Sequence, residues 1–546
     1  MNAAERVRRA YARIAAVDRP EVWIDLRPQA EAEAEAAAVD ARVAAGEHLP
    51  LAGTVCAVKG NIDVAGLPTT AGCPAFAYRP ERDAPAVARL RAAGAVVLGT
   101  TNLDQFATGL VGTRSPYGAV RGGVDPGRIS GGSSSGSAVA VALDLVDLAL
   151  GTDTAGSGRV PAALNGIVGL KPTPGLVPTE GVVPACASLD CVSVFARTVD
   201  RAEAALRLIA DQSPPPPARR PGPWRIAVPA PVRLGVLADG WAEAFTAAAA
   251  RFAAAGAELR DLDLTPFDTV AAMLYEGAFV AERYAAVGEF VDAQAERGDP
   301  GLDPVVAGIV RAAREVPAHR LYADLAALDR LRAAALAELG DADALLLPTT
   351  SWHPTFAEVA ADPVGSNARL GRFTNSANLL GLCALAVPAG TVDGLPFGVM
   401  LVGPARTEER LASLARLLTE PPARLAVFGA HLTGQPLNGQ LAALGGRFVS
   451  SVRTAPAYRL YALDTVPPKP GLVRVEQGGA GIAGELWELP AAGLGILLAA
   501  LPHPMALGPV DLADGSRAPG FLCEPAALTG AEDITAAGGW VAHLRG

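Results

Sequence analysis

Between residues 50 and 420 the chain alternates short apolar runs with longer amphipathic stretches, and this alternation narrows the choice of fold more than any other feature. The runs are "TVCAVKGNI" (54–62), "GAVVLGTTN" (94–102), "DLALGTDT" (147–154), "WRIAVP" (224–229), "DALLLPTT" (343–350), "CALAVPAG" (383–390) and "FGVMLVGP" (397–404). Each has the length of a buried strand. Helical patterns separate them at 83–95, 199–211, 240–255, 268–290, 304–339 and 405–419, the first starting at an Asp with Pro close behind. Strands that alternate with helices this way predict an α/β domain with helices packed on a central sheet. An alanine–glutamate segment, Gln29–Gly46, adds a helix before it. Beyond "TEPPAR" (419–424) the texture changes to "RLAVFGAH", "SSVRTAPAYRLYAL", "GLVRVEQ" and "IAGELWEL", which predicts a smaller strand-rich domain. "SPPPPARRPGP" (213–223) reads as an extended surface loop inside the first domain, because the alternation continues on both sides of it. The expected boundaries are 1–420, with a helical N-terminal segment over about 1–48, and 424–546.

Charge and cysteine usage exclude several classes. A net charge of -10 without a basic stripe argues against nucleic acid as a partner. The six cysteines form no C-x-x-C pair and have no histidine at ligand spacing, so no metal site and no cofactor are expected. Scattered thiols suggest a reducing compartment. The N-terminus is charged throughout, unlike a secretory signal, and the uncharged stretch 489–510 is broken by four prolines. The expectation is a soluble cytoplasmic protein without a membrane partner.

"SGGSSSGSAVAVA" (130–142) raises the question of chemistry. Serine needs a base to act as a nucleophile, and no histidine lies between His48 and His319. The run is no phosphate loop, since Gly136 is followed by Ser137-Ala138 where a Lys-Ser/Thr is required. A structural turn remains open on pattern alone. A second stretch, "ALGTDTAGSGRVPA" (149–162), places Ser157 in a glycine-flanked turn whose N–H groups could point at a reacting oxygen. Asp153 and Arg159 bracket that turn and could pair to hold it.

The base is suggested by what the chain avoids. Of 46 basic residues only Lys59, Lys171 and Lys469 are lysines. Arginine cannot release its proton in a protein, whereas a desolvated lysine can. Lys59 ends an apolar strand pattern and is the candidate, set against plain chance. Lys171 and Lys469 read as structural turn residues.

"GGSSSGSAVAVA", "GTDTAGSGRVPAALNGIVGLKPT" and "AVKGNIDVAGLPTTAG" resemble the amidase signature family, whose two serines are spaced as Ser133 and Ser157 are here. The resemblance runs through most of residues 50–405. It implies an α/β/α sandwich around a mixed central sheet. It also implies Ser157 as nucleophile, Ser133 on a cis peptide as the bridge, and Lys59 as general base. The N–H groups of Thr154, Ala155 and Gly156 would form the oxyanion hole. Ser134, Ser135 and Ser137 are left as loop and capping residues.

The helix pattern Met273–Val287 carries Tyr275 and Arg283 just over two turns apart, so both can lean toward one side and grip a small carboxylate. An ordinary solvated helix is the alternative. This segment, "FATGLVGTRSPYG" (106–118) with Gly109, "SLDCVSVFA" (188–196) and the tail from "FGAHLTGQPLNGQL" to "DITAAGGW" resemble allophanate hydrolases. That resemblance implies an anionic small-molecule substrate and ammonia release, followed by decarboxylation to two ammonia and two carbon dioxide in all. It also implies a tail with the α+β fold of γ-glutamyl cyclotransferases, a homodimer, and coupling to a urea carboxylase or to triazine-degrading enzymes. After "EDIT" the chain reads Ala536-Ala537, and neither His503 nor His543 matches the histidine some members use for decarboxylation. A general amidase or a glutamine-hydrolysing amidotransferase component would share the Lys-Ser-Ser set without needing this tail. A catalytically dead binding module would have no use for that set.

Overall fold

The structure, a computed structural model, describes residues 2–211, 222–420 and 422–546. The loop expected at 213–223 therefore lies, apart from its last two residues, outside the described residues. The chain divides into two compact units, Met1–Ala249 with Leu259–Thr419, and Ala250–Glu258 with Glu420–Gly546.

An eleven-stranded mixed sheet runs through the first unit. Its strands are β1 (Trp23–Leu26), β2 (Val55–Lys59), β3 (Val96–Thr101), β4 (Leu148–Asp153), β5 (Val168–Lys171), β6 (Cys191–Ala196), β7 (Arg225–Val228), β8 (Glu258–Asp261), β9 (Ala344–Pro348), β10 (Cys383–Val392) and β11 (Leu395–Gly403). Their order is β1-β3-β2-β4-β6-β5-β10-β11-β9-β7-β8. β2 pairs in parallel with both β3 and β4, while β4, β5, β6, β10 and β11 continue the sheet with antiparallel pairs. Strands β2, β3, β4 and β6 are buried along their whole length, as expected of strands covered on both faces. The Val58–Leu150 register brings the carboxyl ends of β2 and β4 to one edge, where open α/β sheets place their ligands.

Three helix readings are corrected. The 268–290 pattern is two helices, Thr265–Glu276 and Ala281–Arg297, parted at Gly277. The 304–339 pattern is also two, Pro304–Ala312 and Ala318–Leu339, because the residue before Pro317 is driven out of helical conformation. The helix expected from Asp83 is Pro85–Ala92, capped by no side chain. Asp83 instead accepts from the Ala65 N–H and pairs with Arg91.

The second unit holds a five-stranded sheet in the order Arg447–Arg453, Ala483–Leu489, Ala423–Val427, Arg517–Cys523, Met505–Asp511, and a separate three-stranded sheet. Leu425, Val427, Tyr458, Trp487, Phe521 and Trp540 belong to one core. The uncharged 489–510 stretch is a short helix, Ala491–Ala499, followed by a strand. No helix of the described residues is long and apolar enough to cross a membrane. All six cysteines are free and buried.

Candidate active site

Lys59, the last residue of β2, is fully buried. Its Nζ lies 2.7 Å from Ser133 Oγ and 2.7 Å from Thr152 Oγ1. Burial drives the amine down from its usual range to about 7, against the opposing pull of Asp104, Asp190 and Asp153. An amine at that value is substantially uncharged at neutral pH and can both donate to Thr152 and accept from Ser133. Thr152 does not stand out in the sequence. Its only signal is positional, since it sits on the strand next to Lys59, two residues beyond the Val58–Leu150 pair.

Ser133 follows a cis Gly132–Ser133 peptide. The loop packs against Asp104 so closely that a Cβ on Gly132 would stand 2.1 Å from Asp104 Oδ2. That buried carboxylate accepts from the N–H groups of Val111, Gly112 and Arg114, which fixes the neighbouring loop. The other serines are not caps. No side chain caps the helix Ser135–Ala142. Ser134 and Ser137 donate to the Thr152 and Leu150 carbonyls, and Ser135 to that of Asn102, so they stitch a helix buried on all sides to its neighbours.

Ser157 is buried in the turn after β4, and its Oγ faces the Gly109 carbonyl at 3.5 Å. It makes no hydrogen bond with Ser133 in this rotamer, so the structure closes the Lys59–Ser133 link and leaves the Ser133–Ser157 link open. The pairing expected of Asp153 and Arg159 is present. Arg159 Nε and Nη2 donate to the two carboxylate oxygens at 2.9 and 3.0 Å, and both side chains are fully buried. Burial pushes the Asp153 carboxyl up, but the guanidinium beside it holds it below the usual carboxylate range. One expectation for the oxyanion hole is corrected. The Gly156 N–H donates to Asp153 Oδ1 at 2.7 Å and is not free for a substrate oxygen. The N–H groups of Thr154, Ala155 and Ser157 have no partner among the described residues.

Tyr275 and Arg283 meet, though not along one helix. Tyr275 lies in the last turn of Thr265–Glu276 and Arg283 in the first turn of Ala281–Arg297. The Gly277 break lets the two helices turn, and a Cβ at Gly277 would stand 2.4 Å from the Met273 carbonyl oxygen. Arg283 is 2% exposed. Its Nη1 donates to Thr108 Oγ1 at 2.8 Å and its Nη2 to Tyr275 Oη at 3.3 Å, while its Nε has no partner. No carboxylate pairs with it among the described residues. Thr108 adjoins Gly109, so the guanidinium is one residue removed from the group that faces Ser157 Oγ. A cavity of about 450 Å³ beside Tyr275 is walled in part by Arg369, Arg372 and Asn375.

The two remaining lysines are not turn residues. Lys171 ends β5, buried, with Nζ donating to the Pro172 carbonyl at 2.7 Å. Lys469 opens a strand of the second unit and lines an apolar cavity of about 450 Å³ together with His431, Gln440, Phe521 and Met505. His431 stacks on Phe521 at 4.5 Å and lies 3.2 Å from Gln440 Oε1. Neither His503 nor His543 lines that cavity.

The chain is similar to known proteins in both sequence and fold. The amidase family model matches residues 5–412, and the model of the allophanate hydrolase C-terminal domain matches residues 423–545. The urea amidolyase of Lachancea kluyveri is 41% identical over 552 residues, covering 91% of this chain. The chain spans only 30% of that relative's own length. The 2-amino-5-chloromuconic acid deaminase of Comamonas testosteroni is 36% identical over 71% of this chain and 85% of its own. Among solved structures, Kluyveromyces lactis allophanate hydrolase superposes with a TM-score of 0.69 at 39% identity, covering 96% of this chain and 93% of that one. The chain belongs to the amidase family, and an allophanate hydrolase C-terminal domain follows its amidase region.

Proposed function

We propose that the protein is an allophanate hydrolase working through Lys59, Ser133 and Ser157. The observation that carries the substrate assignment is Arg283, a buried guanidinium with no carboxylate partner among the described residues, close to the serine set. A buried charge is costly unless paired, and a small anionic substrate supplies the missing partner. Allophanate is a urea bearing one carboxylate, so a single molecule can place its carboxylate on Arg283 and Tyr275 and its carbonyl at Ser157.

In this reading Ser157 rotates about χ1 from the Gly109 carbonyl toward Ser133, a move between ordinary staggered wells. Neutral Lys59 takes the Ser133 proton as Ser133 takes that of Ser157, and Ser157 Oγ bonds to the ureide carbon. The N–H groups of Thr154, Ala155 and Ser157 stabilise the oxyanion. The proton returns through Ser133 to the departing nitrogen, which leaves as ammonia. Water, deprotonated by the same route, then cleaves the acyl-serine and releases N-carboxycarbamate. That product takes up a proton on nitrogen and loses carbon dioxide, and the resulting carbamate breaks down to ammonia and a second carbon dioxide. The cavity at His431 and Lys469 supports placing the decarboxylation in the second unit, where the Lys469 side chain among apolar walls can meet an anionic carboxylate.

The match to urea amidolyases supports a urea-carboxylating enzyme as the source of substrate. A homodimer in the cytoplasm completes the proposal. The test is product stoichiometry. Wild-type protein should yield two ammonia per allophanate and leave glutamine intact, and Ser157→Ala should yield none. Glutamine turnover at a comparable kcat/KM would favour the amidotransferase-type reading instead.

A further inference from the structure

The peptide between Ala155 and Gly156 is held at both ends. Its carbonyl accepts from Thr374 Oγ1 at 2.7 Å. It also accepts from the Asn375 amide at 2.9 Å, in the orientation that satisfies both ends of that amide. Its N–H, on the opposite side of the same planar unit, donates to Asp153 Oδ1 at 2.7 Å. Asp153 is locked in turn by Arg159, whose Nη1 donates back to the Thr374 carbonyl at 3.0 Å. Asn378 closes the ring by donating to the Asp153 carbonyl at 2.8 Å and accepting from Arg159 Nη2 at 2.9 Å. The approach is tight. Gly156 has φ +125°, and a Cβ there would stand 2.3 Å from Thr374 Oγ1. Thr374 is fully buried, and it reaches the turn from more than two hundred residues along the chain.

We propose that Thr374 is a positioning residue for amide hydrolysis. With Asn375 it fixes the plane of the Ala155–Gly156 peptide, and that plane sets the aim of the flanking Ala155 and Ser157 N–H groups. Oxyanion donors accelerate the reaction because they already point at the oxygen before charge develops. A peptide free to rotate would lose that advantage while leaving ground-state binding at Arg283 and Tyr275 intact. The inference rests on the reading of Ser157 as the nucleophile.

The test is the split between kcat and KM in Thr374→Val, which keeps the shape of the side chain and removes the hydroxyl. Loss of one such hydrogen bond should lower kcat about tenfold. KM for allophanate should stay within about twofold. Thr374→Ser should restore most of kcat, because it returns the donor. A kcat within twofold of wild type in Thr374→Val, or a Thr374→Ser variant as slow as Thr374→Val, would overturn the proposal. If Thr374→Val does not fold, Thr374→Ala removes the same donor and is read by the same split. An unchanged kcat there overturns the proposal equally. Ser157→Ala, assayed alongside, separates the two levels, since ammonia release by that variant would remove the parent reading rather than this one.

Discussion

Replacing Arg283 with Met should weaken the enzyme and strengthen the fold at the same time. The guanidinium is 2% exposed, its two hydrogen-bond partners, Thr108 and Tyr275, are uncharged, and its Nε has none. With an anionic substrate bound, each charge-assisted hydrogen bond to it contributes about 1.5–3 kcal/mol. Losing two would cost about 3–6 kcal/mol, a fall of roughly 10²–10⁴ in kcat/KM for allophanate. In the free protein no carboxylate among the described residues pairs directly with that charge, Asp190 and Glu282 acting on it only through space, and an apolar side chain of similar length should stabilise the fold by about 1–4 kcal/mol. Steady-state ammonia release from allophanate and from a neutral amide such as propionamide reads the first effect. Urea unfolding reads the second. The neutral amide should lose no more than about threefold, since it has no carboxylate to bind. Equal losses on both substrates, or a less stable Arg283→Met protein, would refute the reasoning that the charge is kept for a substrate anion.

Two other substitutions test the surroundings of the site. Arg159→Met leaves the Asp153 carboxylate buried and unpaired, and should destabilise the protein by about 3–5 kcal/mol in urea unfolding, whereas a change under about 1 kcal/mol would contradict a paired buried ion. His353 is 3% exposed, with its ring 2.8 Å from the Ile129 carbonyl, and burial lowers its pKa to about 4. As pH falls from 6.5 toward 4 the unfolded chain takes up a proton that the native state refuses. Stability should therefore drop across that window by up to about 3 kcal/mol, and His353→Gln should flatten the drop; an unchanged slope in the variant would contradict it.

Much of this is readable from the sequence because the features concerned are local. The seven apolar runs form strands β2, β3, β4, β7, β9, β10 and β11, since a run of buried β-branched and aliphatic residues states its own conformation. Strands β1, β5 and β8 escape notice because none of them holds three consecutive apolar side chains, as the equally short β7 does at 226–228. Lys59 stands out by residue type and Ser157 by its glycines. Thr374, Asn375 and Asn378 do not, because nothing in "TNSAN" signals that it lies against a turn two hundred residues earlier. The Gly156 N–H illustrates the same limit. Its place in a glycine-flanked turn suggests a free donor, and only the Asp153 carboxylate beside it shows otherwise.

Proton transfer depends on an uncharged amine at Lys59, and the pH dependence of kcat/KM reports the free enzyme directly. Protonation of Lys59, whose pKa burial has lowered to about 7, removes the base. Below that value kcat/KM for freshly prepared allophanate should fall tenfold per pH unit, while above it the profile should level off. A profile flat from pH 8 down to pH 5.5 would contradict a neutral lysine as the proton acceptor.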